Sequence, residues 1–128
     1  MSSITDPSLL LVDDDPDFLI VLQDLLPFHL GQLKIDTATS GTEALALMQR
    51  NRYDAVISDV RMPDMDGLAL LERVSKEQPE TPFLLMTAHG DSHLGYEAME
   101  LGAYAYLEKP IDRQYFLHCV RRALAFTD

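Results

Sequence analysis

Four short apolar runs in this chain each end at a polar residue suited to metal or phosphoryl chemistry. Leu9-Leu10-Leu11-Val12 leads into Asp13, Asp14 and Asp15, and Ala55-Val56-Ile57-Ser58 into Asp59. Phe83-Leu84-Leu85-Met86 leads into Thr87, and Ala105-Tyr106-Leu107-Glu108 into Lys109, with Pro110 next. Parallel strands of one sheet end along one edge, and open α/β sheets bind their ligands there. If the runs are such strands, one pocket receives an acidic cluster, a further carboxylate, a hydroxyl and an ammonium. Magnesium takes oxygen ligands, one or two carboxylates plus a phosphate being enough. A carboxylate is also a nucleophile toward phosphorus. Phosphoryl transfer needs chiefly positioning and charge neutralisation, which a dication and a lysine supply.

Each residue also has a plainer role to be weighed. A helix start decorated with acids accounts for Asp15 and Asp17, since the helix dipole favours negative charge there. It does not account for Asp13, which ends a run expected to be buried, where an unpaired charge is costly. Neighbouring carboxylates in apolar surroundings repel one another, and a bound dication relieves that repulsion. Taken singly, Asp59 reads as a turn cap, Thr87 as a strand-end turn residue and Lys109 as an ordinary surface lysine. Their placement at successive strand ends joins them into one site.

The elements that must position these residues alternate along the chain. Strand-length apolar runs are followed by amphipathic stretches of helix length, about five times over, with no linker between. That rhythm predicts a parallel sheet with helices on both faces. The first strand, about Leu9 to Val12, has no polar alternation and should be buried on both sides. A first helix starts at Pro16, capped by Asp15, with Phe18, Leu22 and Leu25 on one face, Leu19 and Leu26 beside them, and Pro27 as its stop. A second strand, Lys34 to Thr37, mixes polar residues and reads as an edge. Ser40 caps a second helix, and Glu43 completes a capping box. The third strand is about Ala55 to Ser58, the fourth Phe83 to Met86 and the fifth Ala103 to Leu107. Between them lie a turn-rich loop, Met62-Pro63-Asp64-Met65-Asp66-Gly67, a third helix from Leu68, and a fourth from about Asp91 to Leu101. Gly102 stops the fourth helix, and Gly95 inside it costs about 1 kcal/mol relative to alanine. A last helix spans about Asp112 to Phe126, with the single Cys119 as a small apolar filler.

Bulk properties narrow the classes. A length of 128 residues is that of one domain, expected over 1–128 with a core from about 8 to 126. No apolar stretch approaches the roughly 18 residues of a membrane span, and the first residues lack the basic and apolar regions of a signal peptide. One cysteine cannot form an internal disulfide, so the cytoplasm is the expected compartment. A formal charge of −11 disfavours direct nucleic-acid contact, and no basic run exceeds Arg121-Arg122.

Leu10-Leu11-Val12-Asp13-Asp14-Asp15, the stretch from Tyr53 through Asp59 to Gly67, Met86-Thr87-Ala88-His89-Gly90 and Tyr106-Leu107-Glu108-Lys109-Pro110 together resemble the receiver domains of two-component response regulators. The resemblance covers about Leu9 to Leu124. It implies a flavodoxin-like, doubly wound fold: a five-stranded parallel sheet in the order 2-1-3-4-5 with five flanking helices. By this resemblance Asp59 accepts a phosphoryl group from a histidine kinase or a histidine phosphotransfer protein. Asp13, Asp14, Asp59 and the backbone carbonyl of Arg61 hold Mg2+, and Thr87 and Lys109 contact the phosphoryl group. Tyr106 matches the family's switch aromatic, which moves inward when Thr87 engages phosphate. Arg61 and His89 occupy positions that set the lifetime of the acyl phosphate. The implied output is a change in the surface of the fourth helix, fifth strand and fifth helix, where Tyr96 and Met99 offer an apolar patch to an effector domain or a homodimer partner. No direct contact with nucleic acid or membrane is implied.

Rival readings differ in the order of the same residues. Haloacid-dehalogenase-like phosphatases place their nucleophile after the first strand and an acidic pair after the lysine. Here only Asp112 follows Lys109 closely. Flavodoxins hold a flavin phosphate with a Ser/Thr-rich loop after the first strand, where this chain has acids. A receiver used only for protein contacts typically lacks one of the key residues, and all are present here.

Overall fold

Strands that alternate with helices pair in parallel, because each crossover helix returns the chain to the same end of the sheet. The computed structural model describes residues 6–88 and 92–124. The elements run β1 (Ser8–Val12), α1 (Pro16–Leu30), β2 (Lys34–Ala38), α2 (Gly41–Arg50), β3 (Ala55–Asp59), α3 (Gly67–Glu77), β4 (Phe83–Thr87), α4 (Ser92–Glu100), β5 (Ala105–Glu108) and α5 (Arg113–Ala123). The sheet has five strands in the order β2-β1-β3-β4-β5, all paired in parallel. This is the fold implied by the resemblance.

The two faces of the sheet bury two separate cores. Leu9, Leu11, Ala55, Ile57, Leu84, Met86 and Leu107 pack under α1 and α5. Leu10, Val12, Val56, Phe83 and Leu85 pack under α2, α3 and α4. Successive strand side chains point to opposite faces, so the unbroken apolar runs of β1, β3 and β4 serve both cores at once. The edge strand β2 alternates exposed and part-buried residues before Ala38, as its polar mixture requires.

Capping fixes where the helices begin. Asp15 accepts from Asp17 N at 3.0 Å and Phe18 N at 3.4 Å, with Pro16 in the first helical position. Asp66 accepts from Ala69 N, and Asp112 from Gln114 N and Tyr115 N. Ser40 Oγ accepts from Glu43 N at 3.1 Å, but Glu43 reaches back to Thr39 N at 2.8 Å. The expected box is therefore closed one residue earlier than the standard pattern.

Four boundaries differ from expectation in ways that matter. α1 does not stop at Pro27 but continues to Leu30. A proline forgoes the bond to the carbonyl four residues back, yet only one turn follows it here. The Pro27 carbonyl accepts from Gly31 N at 2.9 Å, and Leu30 packs on the α1–α5 core, so the last turn keeps a cap and a contact. β3 and β4 are each one residue longer than expected, so Asp59 and Thr87 are the last residues of their strands. The fifth strand begins later, at Ala105, after Gly102 has turned the chain at φ +104°. Cys119 is buried, as expected of a filler.

Gly67 sits where α3 starts against the end of β3. A Cβ there would meet the Asp59 carbonyl oxygen, and would lie 2.8 Å from Leu85 Cδ2 and 2.9 Å from Val60 Cα. Two of these atoms are backbone and cannot rotate away. Gly67→Ala is therefore expected to lower the unfolding free energy by about 1–3 kcal/mol, the usual cost of overpacking, as read from the urea midpoint. An unchanged midpoint would show that the helix start shifts freely.

Candidate functional site

Strand register brings the site together. β1 and β3 pair with Val12 opposite Ser58, so the next step sets Asp13 beside Asp59. Asp59 pairs with Met86, which places Thr87 one residue further along. Thr87 pairs with Glu108, which places Lys109 one beyond. The two-residue period then sorts the group. Asp13, Asp59 and Lys109 continue the rows that face α1 and α5, whereas Thr87 and Tyr106 continue the rows that face α2, α3 and α4.

Asp13 and Thr87 have no solvent exposure, and Asp59 has 8%; Asp14 is exposed. Lys109 Nζ donates to Asp13 Oδ2 at 2.9 Å and lies 3.7 Å from Asp59 Oδ2. Asp13 Oδ1 accepts from Asp15 N at 2.9 Å, and Asp59 Oδ1 from Val60 N at 2.8 Å. Burial pushes the Asp59 carboxyl above the usual carboxylate range, and the charge of Asp13 pushes it further. Lys109 and the backbone amides of Val60 and Arg61 pull the other way without cancelling the rise.

One carboxylate oxygen each from Asp13, Asp14 and Asp59 lies within 4.8 Å of the others. This donor set is all oxygen and carries more negative charge than one lysine offsets, so it fits a hard dication.

Arg61 is exposed on the loop from β3 to α3. Gly67 N closes that loop onto the Val60 carbonyl at 2.7 Å. Asp64 ties the loop to the start of α2, accepting from Gly41 N at 3.2 Å and Thr42 N at 3.1 Å. The Thr42 side chain foremost, with the Thr42 and Gly41 amides, holds the Asp64 carboxyl below its usual range. Met65 packs so closely on Gly41 that a Cβ there would lie 2.8 Å from Met65 Cβ.

Tyr106 is half-buried on β5 and packs against the α2–α4 core. A Cβ on Gly95 would lie 3.1 Å from the Tyr106 ring. The glycine expected only to weaken α4 thus has a packing reason. Lys109 N donates to the Thr87 carbonyl at 2.8 Å, and the Lys109–Pro110 bond is cis. His89 lies outside the described residues, as does Asp91, the expected start of the fourth helix.

Sequence reasoning missed one contact of the site. The Phe18 ring lies beneath the Lys109 ammonium, 4.2 Å from centroid to Nζ, although Phe18 had been placed only in the apolar stripe of the first helix. Its position in the first turn, three residues after the capping Asp15, was the available signal.

The raised pKa of Asp59 has a definite sign in stability. Below the unfolded value of about 3.9 the carboxyl is protonated in both states and adds nothing. As pH rises through the higher folded value, holding the ionised group in this site destabilises the fold. Asp59→Asn should therefore raise the melting temperature at pH 7, and the gain should fade as the pH drops below about 4. Added Mg2+ should stabilise the wild type by mass action and the variant less. A variant less stable than wild type at neutral pH, by calorimetry, would contradict this balance of charges.

The family described as "Response regulator receiver domain" matches residues 9–121. The chain is 38% identical over 117 residues to the C4-dicarboxylate transport transcriptional regulatory protein DctD of Rhizobium meliloti, covering 91% of this chain and 25% of that protein. It is 39% identical over 114 residues to the DNA-binding transcriptional regulator NtrC of Salmonella typhimurium, covering 89% and 24%. The chain thus spans about a quarter of the length of these relatives. Among solved structures, the signal receiver domain of an HD domain-containing protein from Pseudomonas fluorescens Pf-5 superposes with a TM-score of 0.87 at 37% identity, covering 94% of this chain and 96% of that one. The beryllofluoride-activated NtrC4 receiver domain dimer superposes with a TM-score of 0.85 at 28% identity, covering 92% and 96%. With the strand order and the strand-end residues already described, these likenesses place the chain in the response regulator receiver domain family.

Proposed function

We propose that this receiver domain accepts a phosphoryl group on Asp59 from a histidine kinase or a histidine phosphotransfer protein, and passes the change to an output partner or domain. The observation that carries this reading is the buried Asp59 carboxylate beside Asp13, with the Lys109 ammonium between them. An Asp59 oxygen attacks the phosphorus of the partner's phosphohistidine in line. The oxygen–phosphorus bond forms, the nitrogen–phosphorus bond breaks, and the imidazole leaves with the partner. Asp13, Asp14, Asp59 and the Arg61 carbonyl would hold Mg2+, which supplies the positive charge that lets anionic carboxylate and phosphoryl oxygens approach.

Lys109 pairs with the phosphoryl oxygens as their charge develops, and the Thr87 hydroxyl donates to one of them. Tyr106 follows Thr87 inward, and the surface of α4, β5 and α5 shifts between two states. Exposed Tyr96, Met99, Tyr104 and Tyr115 line a groove on that surface, which supports its use as the output face toward an effector domain or a second copy. The transcriptional regulators among the relatives support a longer protein in which another segment carries the output. The domain is a signalling element; among the described residues, no helix is long and apolar enough to cross a membrane.

Labelling with acetyl [32P]phosphate and Mg2+ tests the reading. The wild type should acquire a hydroxylamine-labile label, and Asp59→Ala should acquire none and lose any response to beryllofluoride while remaining folded. A label that persists in Asp59→Ala would refute the assignment. Arg61 and His89 are proposed to shield the acyl phosphate from water. Replacing both with alanine should speed loss of the label several-fold in a pulse–chase, and an unchanged decay would remove them from that role.

A further inference from the structure

Lys109 is held by more than carboxylates. Its Nζ lies 2.9 Å from Asp13 Oδ2, 3.7 Å from Asp59 Oδ2 and 4.2 Å from the centre of the Phe18 ring. With only 19% of its side chain exposed, Lys109 is largely withdrawn from water. The face of an aromatic ring attracts a cation most strongly under those conditions.

Phe18 is delivered there by the acidic motif itself. Asp15 accepts from the backbone of Asp17 and Phe18, and Pro16 presets the first helical φ, so the phase of the first turn of α1 is fixed. Helical side chains lean toward the N-terminus, which carries the ring toward the strand ends. The rest of the ring packs on the α1–α5 core.

The carboxylate nearest Lys109 is Asp13, one of those proposed to hold the dication. A lysine kept in place by Asp13 alone would compete with the cation for that carboxylate and lose its anchor once the cation bound. The Phe18 ring holds the ammonium without using a carboxylate oxygen. We propose that Phe18 is a positioning residue for Lys109: its ring seats the ammonium beside Asp59 while Asp13 is committed to the metal. This role rests on the reading of Asp59 as the phosphoacceptor.

Phe18→Leu keeps the apolar bulk and removes the aromatic face, and Phe18→Tyr keeps both. With acetyl phosphate and saturating Mg2+, Phe18→Leu should lower the maximal phosphorylation rate on the order of fivefold, with little change in the half-saturating phosphodonor concentration. Phe18→Tyr should restore the rate. In a Lys109→Ala background, Phe18→Leu should have no further effect, because the two residues act as one unit. By NMR, the Lys109 ε-methylene protons should show an upfield ring-current shift in the wild type and Phe18→Tyr but not in Phe18→Leu. A wild-type rate in Phe18→Leu, a Tyr variant as slow as the Leu variant, equal slowing in the Lys109→Ala background, or a missing ring-current shift would each overturn the role. A wild type that takes no label at all would overturn the phosphoacceptor reading, and with it the role of Phe18, even with the ring-current shift present.

Discussion

Two carboxylates that would ordinarily sit in water are held side by side at the ends of neighbouring parallel strands. Asp13 and Asp59 are almost wholly removed from solvent, and the charge of Asp13 adds to the burial that makes Asp59 harder to ionise. Lys109 compensates part of this. With Asp14 included, three carboxylates face one ammonium, and the uncompensated charge matches that of a divalent cation. The site is built around this shortfall. The parallel register aligns the acids, the Asp15 cap fixes the backbone beside Asp13, and the amides of Val60 and Arg61 offset part of the burden on Asp59.

The two-sided sheet adds a division of labour. Because strand residues alternate between faces, the charged groups proposed to take and hold a phosphoryl group continue the α1–α5 rows. The pair proposed to report it, Thr87 and Tyr106, continues the rows facing α4. One edge of one sheet can thus do chemistry toward one side and signal toward the other. The contact of Tyr106 with Gly95 places the proposed reporter against a helix whose interior glycine is about 1 kcal/mol less favourable than alanine.

Much of this was legible in the residues because the strand ends carry an energetic contradiction: an acid after a fully apolar run demands a partner. The parallel sheet followed from the alternation of elements. Its order did not, since periodicity says which strands are buried and not which are neighbours; the order came with the family resemblance. The end of α1 was misjudged because Pro27 weakens a helix only locally, and the contact made by Leu30 lies outside any local window. Phe18 and Asp64 escaped notice for a common reason. Each acts on a residue distant in sequence, Lys109 in one case and the Gly41–Thr42 amides in the other, and neither partner is signalled by local pattern.

Asp64 gives the loop that carries Arg61 an unusual kind of anchor. A helix start is normally capped from within its own chain segment, but the first amides of α2 take part of their capping from Asp64, more than twenty residues away in sequence. Loop and helix therefore share one mechanical joint. Any motion that lifts the loop frays the beginning of α2 and adds to the energy of moving. That joint ties the wall of the pocket that carries Arg61 to the first turn of a neighbouring helix.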